Sequence, residues 1–344
     1  IANLLICWLA EYTRRGRPNQ IDHHSESQTQ VHSLVSESRI KHAIRELAAS
    51  PRNSRENPED HKRAADWIAS EFEQAGLAVS RQTFEIPDEI PGQVPPRQGV
   101  NVIGTLNRPP GGPRDPVDST SILIGAHYDT VPHSPGADDN ASGVAAMLEC
   151  ARALRESNID REVTFVAFDA EEIQSAVEGL YGSTAYVARL APGESPSAAI
   201  IFESVGFSSA TIKQRLPGSF RFLFRKAYRA LIQQNFAADS LLILSKGPGR
   251  AIARRLEESA SSPDIQLPIL PLEVPRWMPL VRDLRRSDHA PFWLAGIPAV
   301  LISDTANFRN PHYHQTTDTP DTVDVVLVAR AARMVIDAIE RRAI

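Results

Sequence analysis

His127 and Asp129 lie two residues apart in ILIGAHYDTVPHSPGADDNASG, residues 122–143, and two adjacent carboxylates, Asp138 and Asp139, follow in the same stretch. Glu171 and Glu172 form a second acidic pair. Glu203 follows an apolar run, and His314 lies in NPHYHQTTDTPD near the end of the chain. Two imidazoles and several carboxylates, with no thiolate, suit zinc or another borderline divalent ion. Five protein ligands are too many for one catalytic zinc that keeps an open position. They suit two ions sharing a bridging carboxylate, about 3.5–4 Å apart. Such a pair lowers the pKa of a trapped water, polarises a carbonyl and anchors the resulting oxyanion. One carboxylate must then stay off the metals and take the proton of the water. Glu171 and Glu172 meet this need, because neighbouring side chains point differently and one can ligate while the other faces the water. Their spacing leaves open which does which.

These residues need elements that deliver them to one place. Ile122 to Gly125 is a short apolar run followed by turn chemistry, which predicts a buried strand ending at His127. Asn140, Ser142 and Gly143 mark the start of a helix with apolar positions at Val144, Met147, Leu148, Ala151 and Leu154. Residues 162–169 predict a strand that ends just before Glu171 and Glu172, and residues 198–202 predict another that ends at Glu203. Three strands therefore carry candidate ligands to their carboxyl ends, the edge at which open α/β sheets bind ligands. Elsewhere the pattern predicts helices over 37–49 and from Asn57, with Pro58 in the first turn and Gly76 as the stop. Strands are expected over 77–86, 100–106 and 299–302. A helix-rich region with breaks spans about 219–258, residues 262–286 read as irregular and Pro-rich, and short and long helices are expected over 287–295 and 323–344. Strands alternating with helices argue an α/β fold with a mixed, centrally parallel sheet between helices.

The chain has 344 residues, 42% apolar and 23% charged, with a net charge of -5. That balance gives no reason to expect nucleic acid or an anionic membrane as a partner. Two cysteines, Cys7 and Cys150, exclude a disulfide framework and a thiolate zinc site. Cys150 falls on a core helix and reads as a buried, inert thiol. No apolar run is long enough to cross a bilayer. Residues 1–36 read as an N-terminal arm and 37–344 as one catalytic domain. The apolar stretch Ile1–Ala10 is either the remnant of an export signal or anchor, with an exported location favoured over a cytoplasmic one, or a short helix lying on the domain. Nothing in the sequence speaks to the oligomeric state.

In order, the chain carries HYDT, PGADDNASG, FDAEE, FESVG, SDHAPFWLAGIPAV and HYHQTTDTPD. This series resembles the co-catalytic zinc aminopeptidases of the bacterial leucyl aminopeptidase type, from about Asn57 to the C-terminus. The same superfamily includes glutamate carboxypeptidase and the glutaminyl cyclases. The resemblance implies two zinc ions: His127 and Glu203 on one, Glu172 and His314 on the other, and Asp139 bridging both. It implies Glu171 as the general base, and Asp129 as the acceptor of the other ring N–H of His127, fixing its tautomer. It also implies a cis peptide at Asp139–Asn140 and a peptide substrate cleaved at its N-terminal bond.

The chain departs from the pattern in three places. Glu203 stands where several relatives have Asp, the segment between Glu172 and Gly179 is long, and residues 207–280 match poorly, which makes them the expected seat of selectivity. His312 is the rival of His314 for the metal. Ser287, Asp288 and His289 are expected to support the pocket wall, His133 to face solvent, and Tyr313 is a candidate oxyanion donor. Asn140-Ala-Ser142 matches a glycosylation sequon, but its place beside Asp139 argues against modification. Three rivals remain on the same scaffold: a cyclase-like transferase with one zinc on Asp139, Glu172 and His314, a carboxypeptidase, and a non-catalytic binding module. The presence of all five ligands and the base argues for the peptidase. G-x-S-x-G, H-E-x-x-H and the Walker lysine motif are absent.

Overall fold

The computed structural model of the chain describes residues 34–87, 97–107, 121–157, 159–172, 179–216, 218, 220–275, 284–341 and 344. Nearly all of the expected arm, the loops around 88–96 and 109–116, and the long segment after Glu172 lie outside the described residues.

Eight strands form one mixed sheet: β1 (Ala78–Ile86), β2 (Arg97–Leu106), β3 (Ile122–His127), β4 (Val163–Phe168), β5 (Ala198–Glu203), β8 (Leu241–Lys246), β9 (Ile269–Val274) and β10 (Ala299–Ser303). Their order is β1-β2-β4-β3-β5-β10-β8-β9. The four central strands, β4, β3, β5 and β10, are mutually parallel. β2 and β8 run antiparallel to their inner neighbours. The short strands β6 (Ser209–Lys213) and β7 (Ala237–Ala238) pair apart from this sheet. β4 and β5 flank β3, so the chain leaves β3 to one side and returns on the other. A crevice opens at such a switch point, beyond the carboxyl ends of the strands.

Helices cover both faces. α1 (Glu37–Leu47), α2 (Pro58–Gln74), α3 (Gly143–Glu156), α7 (Gly249–Ala260) and α9 (Val325–Glu340) bury their apolar stripes in the larger core with Ile122, Ile124, Phe165 and Ile200. The opposite face carries α4 (Tyr181–Ala188), α5 (Phe220–Leu223), α6 (Arg225–Gln233) and α8 (His289–Leu294), over a second core of Phe168, Ile201, Leu244, Leu272 and Phe292. α2 stops where Gly76 turns left-handed at φ 76° and the Leu77 amide bonds back to Phe72. Asn57 holds the N-cap position of α2, but its side chain makes no capping bond. Cys150 is fully buried. None of the described helices is long and apolar enough to cross a membrane.

Two strands run through stretches expected to be helical or irregular. β8, LLILSK, opens on four apolar residues without alternation, which period alone does not separate from buried helix. β9 carries Pro271, and a proline in a run argues against a strand. β9 is the outermost strand of the sheet, the position at which a strand proline is tolerated.

Candidate metal centre

The candidate residues meet at the carboxyl edge of the parallel strands. His127 ends β3, Glu171 and Glu172 follow β4, and Glu203 ends β5. Asp139 sits in a turn, Ala137–Ser142, where Asp139 and Asn140 break helical geometry and are joined by a cis peptide. His314 lies in the loop after β10. Nε2 of His127 is 3.3 Å from Glu203 Oε1, 3.4 Å from Asp139 Oδ1 and 3.9 Å from Glu171 Oε2. Nε2 of His314 is 3.1 Å from both Asp139 Oδ2 and Glu172 Oε1. Ligand atoms fall into two triads, His127–Glu171–Glu203 and Asp139–Glu172–His314, each gathered within 4.8 Å. Asp139 stands between them with one oxygen toward each histidine. His312 turns away to bond Thr317 Oγ1 at 2.9 Å.

Two further carboxylates hold this arrangement, each by gripping consecutive backbone amides. Asp129 accepts from the Glu171 and Glu172 N–H groups at 3.0 and 3.2 Å. Asp318 accepts from Asp138 and Asp139 at 2.9 and 3.1 Å. Asp129 Oδ1 is 3.5 Å from His127 Nδ1, and the backbone carbonyl of Asp129 is nearer, at 3.2 Å. The sequence-based expectation for Asp129 therefore covers the smaller part of what its carboxylate does. Asn140 ties the Asp139 turn to β5: its Nδ2 donates to the Phe202 carbonyl, and its Oδ1 accepts from Ser204 N–H. With its amide so engaged and fully buried, the sequon is closed to glycosylation. Ser287 donates to Glu203 Oε2 at 2.7 Å. Beneath the loops lies Arg52, 1% exposed, whose guanidinium donates to the carbonyls of Tyr128, Leu47, Pro135 and Gly136. Burial lowers its pKa to about 10, with Asp318 and Asp129 opposing. Asp318 and Arg52 carried no role in the sequence reading. Arg52 left no signal there, being one of two arginines in a polar loop, and Asp318 is one of two acidic residues in HYHQTTDTPD with nothing local to single it out.

Left-handed backbone clusters at the same edge. Ala170, Ser204, Thr305 and His314 have φ of 54°, 46°, 83° and 59°. Each such non-glycine residue costs on the order of 1–3 kcal/mol, and the surrounding structure must over-determine it.

The electrostatics report an excess of negative charge. Burial opposes a charge on His127, yet Glu203 and Glu171 raise its pKa well above the usual imidazole value. His314 is likewise raised to about 10 against burial by Asp139 and Glu172. Burial pushes Glu171 well above the carboxylate range, with Glu203 and Glu172 adding to it against His127. Burial and Asp139 push Glu172 to about 7. Asp139, despite burial, is held far below the ordinary range by His127 and His314. Asp139 Oδ1 and His314 Nε2 are buried without a hydrogen-bond partner. An anionic cluster with ring nitrogen and carboxylate oxygen aimed inward and unbonded fits divalent cations.

Residues 101–241 and 278–339 match the profile of Peptidase family M28. The chain belongs to peptidase family M28. Over 300 residues this M28 peptidase is 28% identical to the protein YfbL of Escherichia coli (strain K12), covering 82% of the chain and 81% of YfbL. It is 29% identical over 233 residues to the aminopeptidase YwaD of Bacillus subtilis, 63% of the chain but only 40% of YwaD. In fold it resembles an aminopeptidase from Aneurinibacillus sp. strain AM-1, with a TM-score of 0.67 at 19% identity over 91% of the chain and 95% of that structure.

Beside Glu171 and Glu203 the M28 peptidase has a cavity of about 100 Å³, walled by apolar side chains including Leu216, Phe220, Leu242, Leu244, Leu272 and Leu301. Ser287, Arg286 and Tyr313 supply polar lining. Tyr313 stacks on His314 at 3.9 Å, and its hydroxyl accepts from Arg286. Asp288 and His289, expected on the wall, are both buried; His289 lines the cavity, and burial lowers its pKa to about 4.

Proposed function

We propose that the chain is a zinc aminopeptidase that removes N-terminal residues with apolar side chains from peptides. The observation that carries this reading is Asp139, whose two oxygens face different histidines, His127 beside Glu203 and His314 beside Glu172. His127, Glu203 and Asp139 Oδ1 would hold one zinc; Glu172, His314 and Asp139 Oδ2 would hold the second. Bound there, zinc supplies a water acidic enough to ionise near neutral pH and a Lewis acid for the scissile carbonyl.

Glu171 is the base. It belongs to the cavity lining, whereas Glu172 lies against His314. Burial raises its affinity for a proton, as a group that must take one near neutrality requires. The water oxygen bonds to the carbonyl carbon, and its proton passes to Glu171. As the C–N bond breaks, Glu171 returns that proton to the leaving amine nitrogen. The apolar cavity takes the first side chain of the substrate, and the acidic groups at its end, Glu171 and Glu203, favour a free ammonium there. The aminopeptidase name of the Bacillus subtilis relative supports the same assignment. A single-zinc transferase would use Asp139, Glu172 and His314 and leave His127 and Glu203 gathered without purpose.

The test is Glu171→Gln. Turnover of an aminoacyl substrate should fall by roughly 10²–10⁴-fold, with bound zinc remaining near two per chain by elemental analysis. Retained turnover would refute the base assignment, and a wild-type protein that saturates with one zinc would refute the paired centre.

A further inference from the structure

The basic residues of this chain are unevenly placed. Between Ser204 and Ala238 there is no acidic residue, but six basic ones: Lys213, Arg215, Arg221, Arg225, Lys226 and Arg229. The net charge of the whole chain is -5, so this segment runs against it. All six side chains are exposed. Among the described residues, no ion pair reaches any of them, whereas basic residues elsewhere, such as Arg39, Arg63, Arg152 and Arg255, are paired.

Helix α6 explains why they share a surface. Its inner side, Ala227 and Leu231 with Phe224 just before it, packs into the core that contains Leu270, Leu272 and Val274 of the edge strand β9. Arg225, Lys226, Arg229 and Ile232 recur at helical spacing on the opposite side and are exposed. Phe222 and Leu223 at the end of α5 are 61% and 45% exposed, and Ile232 is 55% exposed. The Arg221 guanidinium lies 4.5 Å over the Phe222 ring. Single exposed apolar residues are ordinary. An aromatic, a leucine and an isoleucine within eleven residues of one another, set among unneutralised arginines, are a different feature. Basic heads with short apolar anchors suit the headgroup region of an anionic bilayer, where phosphates take the charges and the acyl boundary takes the rings. An acidic protein would satisfy the arginines and leave Phe222 and Leu223 without a role.

We propose that α5 and α6 form a peripheral docking surface for membranes rich in anionic phospholipid. The proposal is independent of the peptidase reading. Phe220, two residues from Phe222, lines the cavity, so the seat would hold the cleft beside the lipid surface.

The test uses the full chain with an environment-sensitive thiol dye on Leu223→Cys in a Cys7→Ser background, since Cys150 is fully buried and takes no label. Vesicles of phosphatidylcholine with half phosphatidylglycerol should shift the dye emission to the blue, and pure phosphatidylcholine should not. Each basic residue near an anionic surface is worth about 5-fold in partitioning, so Arg225→Glu, Lys226→Glu and Arg229→Glu together should weaken the response by roughly 100-fold or more. Turnover of a soluble substrate should stay unchanged in that variant. Phe222→Ser should reduce the response to anionic vesicles, separating anchoring from charge. The proposal is overturned by an unshifted dye on protein that sediments with vesicles, by a response indifferent to the charge reversals, or by an equal shift with soluble polyglutamate.

Discussion

Asp129→Asn isolates the grip that holds both glutamates. In the wild type one buried carboxylate accepts the N–H of Glu171 at 3.0 Å and that of Glu172 at 3.2 Å. An asparagine keeps the volume but presents one oxygen and one NH2, so one of the two amides must face another donor. Losing a hydrogen bond to a charged acceptor costs about 1.5–3 kcal/mol, and a buried donor left unsatisfied costs about 1–3 kcal/mol more. The sum, about 2.5–6 kcal/mol, should lower the thermal midpoint of the metal-free protein by roughly 4–8 °C. The loop would relax by on the order of 1 Å, enough to cost about 10²-fold in kcat/KM, and zinc affinity should drop by about 10- to 100-fold. Steady-state kinetics on an aminoacyl substrate, zinc titration and thermal scanning read the three effects. Phe72→Leu, in the fully buried core of α2, is the control: it should lower the midpoint while leaving kcat/KM and zinc affinity intact. Wild-type kcat/KM and zinc affinity in folded Asp129→Asn would refute the claim that this carboxylate positions the glutamates.

Three further outcomes follow from the same geometry. The pKa of Glu172 is raised to about 7 by burial and Asp139, and that of His314 to about 10 by Asp139 and Glu172 against burial. Both groups favour the protonated folded form. The stability they lend to the metal-free protein is fully present below their unfolded values, near 4.5 for Glu172 and 6.5 for His314, and is lost as pH rises through the folded ones. The metal-free midpoint should therefore fall between about pH 5 and 9, and zinc should reverse the trend because it binds the deprotonated forms; a metal-free midpoint that rises over this range contradicts the charge balance described. In Gly179→Ala the new Cβ would sit 1.8 Å from the Glu171 carbonyl oxygen, so kcat/KM should drop by about 10²-fold with the fold retained by circular dichroism. Leu242→Trp should fill the apolar cavity and lower kcat/KM for substrates with N-terminal Leu or Phe by roughly 10-fold or more, while N-terminal Ala is spared; equal losses for all three would remove the cavity from the specificity argument.

His127, Glu171, Glu172 and Glu203 were legible in the sequence because each follows a short apolar run bounded by turn chemistry, which reads as a buried strand, and parallel strands deliver their carboxyl ends to one edge. Charge, cysteine number and missing motifs excluded the competing chemistries just as locally. Asp139 and His314 sit in loops, and only their surrounding motifs and the family resemblance singled them out. Tertiary structure alone decided the rest. Asp318 reaches 180 residues back to hold the Asp138 amide, and Arg52 joins the Leu47 carbonyl at the end of α1 to the Gly136 carbonyl, 84 residues on from Arg52. No local period records a contact of that range. β9 shows the same limit: Pro271 argues against a strand until the fold puts that strand at the sheet edge, where a proline is tolerated. Residue type determined which chemistry was available to this chain, and the packing of distant backbone amides, carbonyls and carboxylates determined where each reactive atom stands.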